Sequence, residues 1–323
     1  DGTSTLKNVS IWTGSDATVT FNGLVIENSY DAIVFESAGN VLNNSIIKIN
    51  SEDEVHAITL YDDNNIITNT IINVTAPSGD VQYNPDWSTK APAPTTILIS
   101  ANNTLLDNVT VYFDAPTSVG YFPTVNGIHI GSVDGTITNT TLRDTKVNVK
   151  GTNYAYGINV GNAKDTTLEN VDVTVESAYY ADAIQLFDGD HVTISGTAKA
   201  TAESEAYGVY STAMGTGYSK NIDLTGLDMT VEAQKATGIL IEGSQNVLIA
   251  DADYEITGND ATAINAHVDW MGNIPTNITI TELNININTD GDANVLYFGN
   301  ASDITITDNH IETTGGSQIN FNV

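Results

Sequence analysis

Apolar and polar residues alternate along this chain in short runs, and the runs recur. In Gly157-Ile158-Asn159-Val160, Ile158 and Val160 fall on one side and Asn159 on the other, the period-two pattern of a half-buried strand. No stretch holds a 3.6-residue period over the length of a helix. A small residue followed by Ile or Val opens one run after another: Ala32-Ile33, Ala57-Ile58, Thr96-Ile97, Gly127-Ile128, Gly157-Ile158, Ala183-Ile184, Gly208-Val209, Gly238-Ile239 and Ala263-Ile264. Val295-Leu296 and Gln318-Ile319 are degraded copies. Most anchors lie about 23 to 32 residues apart, with one gap of about 39, the range of solenoid coils.

A second landmark follows most anchors after about eleven or twelve residues, an Asn, Gly or Asp inside a Thr/Val/Ile-rich run. The series is Asn44, Asn69, Asn108, Asn139, Asn170, Gly196, Gly226, Asp251 and Asp308, with Gly23 as an earlier member and Glu282 filling one slot. Asn, Gly and Asp tolerate the left-handed region, so one such residue per coil lets the chain bend sharply between strands, and stacked Asn amides can bond as a ladder. Each coil reads as three short strands, for the copy at Ile128 over 127–131, 136–138 and 140–149. About eleven such coils predict an all-β solenoid, a parallel β-helix about 50 Å long at ~4.8 Å per coil. The 36 Asn and 43 Thr fit this picture, since Thr suits strands and Asn suits turns.

Insertions break the regularity at one corner: 76–94, 114–125, 150–156 and 177–181 each fall between the third strand of a coil and the first of the next. All seven prolines lie in insertions, where no ladder hydrogen bond is lost. Tyr83, Trp87, Tyr121, Phe122, Tyr154, Tyr156, Tyr179 and Tyr180 gather there in a chain only 7% aromatic. They are candidate ligand-binding residues, because aromatic faces stack on sugar rings and anchor protein partners; the bland alternative is that they pin the loops to the coils. A second corner, 211–221 and 267–277, adds Met214, Tyr218, Trp270 and Met271, of which Tyr218 and Trp270 are the second-edge candidates.

Charge narrows the partners. Forty Asp and Glu against ten Lys and Arg give −30, a field that repels nucleic acid and anionic lipid. With no cysteine there is no disulfide framework, and no apolar run approaches the ~20 residues that span a bilayer. Asp62-Asp63 and Asp188-Gly189-Asp190-His191 sit at equivalent turns, with His129, Asn159 and Gln185 expected in one outward column. A carboxylate pair beside a His can do acid–base work or hold a cation, so Asp188 and Asp190 are the candidate Ca²⁺ ligands. Adjacent acids are also expected by chance among forty, and turns favour Asp on their own account. No catalytic residue is assigned, and no cofactor is called for other than that Ca²⁺.

These repeats resemble the right-handed parallel β-helix repeats of pectin-lyase-like enzymes and of surface adhesins. The Asn-, Thr- and Asp-rich, cysteine-free version resembles the adhesin-like surface proteins of methanogenic archaea. The resemblance implies a right-handed helix, an extracellular, cell-surface setting, and binding to a glycan or surface protein of another cell. Polygalacturonase-like enzymes carry Asn-Thr-Asp, double-Asp, Gly-His-Gly and Arg-Ile-Lys elements. Here Asn288-Thr289-Asp290 lies far downstream of Asp62-Asp63, and the last two elements are missing, which disfavours catalysis. Among the Asn-x-Ser/Thr sequons, Asn8, Asn102 and Asn277 are the glycosylation candidates. Residues 1–23 read as a partial first coil or cap. The strand at 318–323 has no polar cap after it, so one domain over 1–323 is expected to belong to a longer surface protein. The sequence supports a non-catalytic adhesin domain, with a polysaccharide lyase or glycoside hydrolase and a structural spacer or surface-layer component as alternatives.

Overall fold

The alternation folds as it reads. The computed structural model describes residues 4–28, 30–80, 82–83, 89–91, 93–132, 135–213 and 217–322. Twenty-nine strands join in one sheet that winds about an axis, each pairing in parallel with the coil before and the coil after. The result is a right-handed parallel β-helix with three faces. The first face starts with Ile11–Thr13, Ile33–Phe35 and His56–Leu60 and continues through Thr95–Ile99, Thr124–Ile130, Tyr154–Gly161, Tyr180–Phe187, Glu205–Thr212 and Lys235–Glu242. The second face runs from Thr20–Asn22 to Ser302–Thr307 and the third from Ser4–Lys7 to His310–Thr313. Towards the C-terminus the corners tighten until single strands, Gln245–His267 and Thr276–Gly299, pass round all three faces.

In-register stacking puts like on like. The anchor Ile column, with Ile58, Ile97, Ile128, Ile158 and Ile184 paired coil to coil, is wholly buried. The small residue ahead of each Ile has a steric cause. A Cβ at Gly157 would lie 2.3 Å from Val173 Cγ1 and 2.5 Å from the Ala183 carbonyl oxygen. In the coil anchored by Ala183, the third face carries Ala198 and Ala200 in place of the valines, which leaves room for the extra methyl.

The corners differ from expectation in two respects. In the fourth coil of the series the bend between second and third faces falls at Asp144 (φ 48°), not Asn139, and the strands are Ile137–Arg143 and Lys146–Gly151. The Asp144 amide donates to the Glu169 carbonyl just as Asn108 donates to that of Arg143, which fixes Asp144 in the column. Asn139 instead belongs to a second left-handed column at the start of the second face, Asn64, Asn103, Asn139, Asp165, His191, Asn221, Asn246, Asn277 and Asp303. Most coils therefore have at least two left-handed residues, and several have a third at the end of the first face, at Asn162, Asp188, Gly243 and Asn300. Both columns carry amide ladders: Asn108 Nδ2 donates to Asn69 Oδ1 at 2.8 Å, and Asn246 and Asn277 each donate to the previous Asn at 2.8 and 2.9 Å.

Replacing Gly157 by Val is expected to lower stability by roughly 1–3 kcal/mol through overpacking, whereas Gly135→Ala, with nothing within 4 Å, should leave the melting temperature nearly unchanged. Thermal denaturation of the two variants checks this.

Candidate functional site

The outward side of the first face is unlike the other two. The slot just before each small anchor residue faces out and carries Asn126, Tyr156, Asp182, Tyr207 and Thr237 in successive coils. Three residues on, His129, Asn159, Gln185 and Tyr210 form the next outward column, the first three in the expected order. Tyr154, Tyr180, Glu205 and Lys235 form a third column, two residues ahead of the first.

Rings join across these columns. Tyr121 and Phe122 meet edge-to-face at 4.7 Å, Phe122 reaches Tyr154 at 6.2 Å, and Tyr154 touches both Tyr179 and Tyr180 at 5.6 and 5.5 Å. Tyr180 continues to Tyr156 at 6.1 Å and Tyr207 at 5.6 Å, Tyr207 stacks on Tyr210 at 5.4 Å, and Tyr210 ends against Phe187 at 6.5 Å. Such offset and edge-on pairs hold each other in place. At one end the chain of rings is open to solvent: Tyr121 is 82% exposed, Phe122 59% and Tyr179 49%. That end is held by Asp80 of the preceding insertion, whose carboxylate accepts the backbone amides of Tyr121 and Phe122 at 2.8 and 2.7 Å.

Under the rings lies a polar floor. Asn159 Nδ2 donates to Gln185 Oε1 at 2.9 Å and Gln185 Nε2 donates to Asp182 Oδ2 at 3.1 Å. Asp182 is completely buried, and its Oδ1 has no hydrogen-bond partner; neither have the buried Oδ1 atoms of Asn126 and Asn159. Burial raises the Asp182 carboxyl well above the ordinary carboxylate range; the Tyr180 hydroxyl pulls the other way and Glu205 adds to the rise. Burial thus favours the protonated form of the Asp182 carboxyl. Burial, and then the neighbouring His56, pulls the His129 imidazole down to about 4, so it is uncharged at neutral pH. Carboxylates return at the far rim. Glu205 bonds both the Tyr207 hydroxyl and the Lys235 ammonium, and Glu242 accepts the Tyr210 hydroxyl at 2.9 Å with His267 Nε2 at 3.6 Å.

The expected aromatic residues are distributed as follows. Tyr121, Phe122 and Tyr179 stand on connections. Tyr154, Tyr156 and Tyr180 are not on loops but inside the first-face strands Tyr154–Gly161 and Tyr180–Phe187, because only two residues separate each of these from the third-face strand before it. Tyr83 lies in Gln82–Tyr83, paired antiparallel with Thr89–Ala91, while Trp87 and Met214 fall outside the described residues. At the second edge, Trp270 is 76% exposed with its indole N–H 3.4 Å from the Ala213 carbonyl, and Tyr218 is half-buried. Neither joins the ring chain among the contacts described.

The acidic turns hold structure together. Asp63 Oδ1 accepts the Asn102 backbone and side-chain amides at 2.8 and 3.0 Å. Asp190 is ringed by His191 Nδ1 at 2.8 Å, Asn221 Nδ2 at 2.8 Å and Lys220 Nζ at 3.5 Å, and Asp188 takes a left-handed bend (φ 52°) at the corner before it. Among the described residues no three His, Cys, Asp or Glu converge as metal ligands. Of the sequon asparagines, Asn8 is exposed, whereas the amides of Asn102 and Asn277 bond to Asp63 and Asn246 in neighbouring coils. Sequence reading passed over Asp182, Tyr207, Tyr210, Glu205 and Glu242. The available signal was the slot before the small residue, read down the repeat.

No family model and no curated protein matches the chain. Among solved structures, the A-module of the mannuronan C-5 epimerase AlgE6 of Azotobacter vinelandii is similar, with a TM-score of 0.53 at 11% identity over 98% of this chain and 91% of that one. The Dettilon tailspike protein gives 0.47 at 13% identity, over 90% of this chain and 60% of that one. A polygalacturonase from Erwinia carotovora ssp. carotovora gives 0.35 at 13%, over 97% of both. The likeness to the epimerase module is one of fold.

A pH signature follows from Asp182. Above the ordinary carboxylate value of 3.8 the unfolded chain releases a proton that the folded chain keeps, so this group's stabilising contribution is lost as pH rises. Asp182→Asn removes that loss. The melting temperature of the variant minus that of the wild type is expected to grow from pH 4 to pH 8, by at most about 1.4 kcal/mol of stability per pH unit. A difference independent of pH would mean the carboxyl is ionised in the fold.

Proposed function

We propose that the first face binds an extended polysaccharide along the helix axis, and that the chain acts as a non-catalytic, cell-surface adhesin domain. The observation that carries this reading is the continuous chain of nine aromatic rings from Tyr121 to Phe187, open to solvent at its Tyr121–Phe122–Tyr179 end. Coils repeat every ~4.8 Å, close to the advance of one sugar in an extended glycan, so a glycan lying along the axis meets about one coil per sugar. Rings already braced by their neighbours lose little freedom on binding, which favours affinity. The AlgE6 module, which shares the fold, acts on a polysaccharide, in keeping with a glycan on such a scaffold.

Catalysis is the weaker reading. Asp182, the one strongly perturbed carboxyl of the floor, is wholly covered, and a general acid must come within hydrogen-bond reach of its substrate. Glu205 and Glu242 are already engaged by tyrosine hydroxyls and by Lys235 and His267.

Retention on immobilised polysaccharides, with released fragments scored in parallel, tests the reading. Wild-type protein is expected to be retained without releasing fragments, and the Tyr121→Ala/Phe122→Ala double variant to lose about ten-fold in affinity or more, as truncation of exposed anchors does. Fragment release above a buffer control would replace the adhesin with an enzyme.

A further inference from the structure

The cations of this protein avoid the strands that bear the rings, with one exception. Lys7, Lys48, Lys146, Lys150 and Lys199 stand on the third face. Arg143, Lys164 and Lys220 stand on the second, and Lys90 lies in the short strand Thr89–Ala91 of the long insertion. Lys235 alone stands on the first face, and it is spent: its ammonium bonds Glu205 and sits 5.9 Å from the centre of the Tyr207 ring. Several of the others are spent as well, Arg143 on Asp107 at 2.5 Å and Lys146 on Asp172 at 2.6 Å.

What the first face does present is uncharged or negative. Below the rings are Asn126, Asn159, Gln185, Thr237 and the covered Asp182, and the buried Oδ1 atoms of Asn126 and Asn159 have no donor to neutralise their partial charge. The far rim adds the carboxylates of Glu205 and Glu242, with Asp260 and Asp292 exposed in later coils of the Glu205 column. The π faces of the rings are themselves negative. A glycan bearing a carboxylate on each sugar would bring anions over first-face strands whose one lysine, Lys235, is already paired, at the cost of like-charge repulsion and unreturned desolvation. A neutral glycan offers C–H faces to the rings and hydroxyl donors to the exposed Asp260 and Asp292.

Resting on the glycan-binding reading above, we infer that the ring-bearing first face is selective for uncharged polysaccharides and rejects polyuronates. The selectivity comes from the placement of charge around the rings, and it separates this face from one built to hold uronate chains.

The test is affinity electrophoresis of the intact protein through gels containing a neutral galactomannan, a neutral mixed-linkage glucan, polygalacturonate or alginate, each at low salt with EDTA. Retardation by at least one neutral glycan is expected, with none by either polyuronate. The Tyr121→Ala/Phe122→Ala variant, altered only at exposed rings, is expected to lose that retardation. Retardation by a polyuronate equal to or greater than that by the neutral glycans would overturn the selectivity while leaving glycan binding standing. Retardation by none of the four would overturn both. Neutral retardation that survives in the double variant would overturn the assignment to this face.

Discussion

Everything in this molecule depends on parallel, in-register pairing of each coil with the next. Each interior strand directs the N–H and C=O groups of alternate residues to the coil before and the coil after, so no coil satisfies its hydrogen bonds alone. That pairing forces residue on residue at one-coil spacing. It makes the core a set of columns, wholly buried where Ile58, Ile97, Ile128 and Ile158 stack, and it makes the corners columns as well. Asn is favoured at those corners for two reasons at once. It accepts the left-handed conformation, and its amide both donates and accepts, so a stack of them satisfies itself.

The same constraint turns single residues into surfaces. One tyrosine before a small anchor residue is a local event, but Tyr156 and Tyr207, with Tyr154 and Tyr180 two residues ahead of that slot, become a strip because their coils are adjacent. Asp182 occupies the slot between Tyr156 and Tyr207, and the rings around it exclude water from its carboxyl. Burying that group costs free energy unless it is neutral and hydrogen-bonded, and the amide chain from Asn159 through Gln185 supplies one bond. The arrangement gives the strip a hydrogen-bonded polar floor.

The faces have divided their work. Cation–carboxylate pairs such as Arg143 with Asp107, Lys146 with Asp172 and Lys7 with Glu27 lie on the second and third faces, where they bridge adjacent coils. Such exposed pairs contribute little stability each, but they relieve repulsion among stacked acids in a chain of −30. The first face carries the rings and the insertions, and Asp80 ties the first insertion to the exposed pair at the head of the strip.

The sequence by itself determined the fold. Alternation, a recurring small-residue–Ile anchor and a left-handed Asn, Gly or Asp are local properties of the chain, and each maps directly onto strand, core column and corner. It also placed His129, Asn159 and Gln185 in one outward column, since a period of two and the repeat are enough for that. It did not distinguish Asn139 from Asp144, because both residue types bend a chain and only the pairing with Glu169 decides which corner each one makes. Nor did it assign Tyr154, Tyr156 and Tyr180 to strands, because strand ends at a corner depend on how far the neighbouring coil extends. The buried acid was left to the tertiary structure. Asp182 looks like one of forty carboxylates until rings from the coils on either side close over it, and burial of that kind exists only once the coils are stacked.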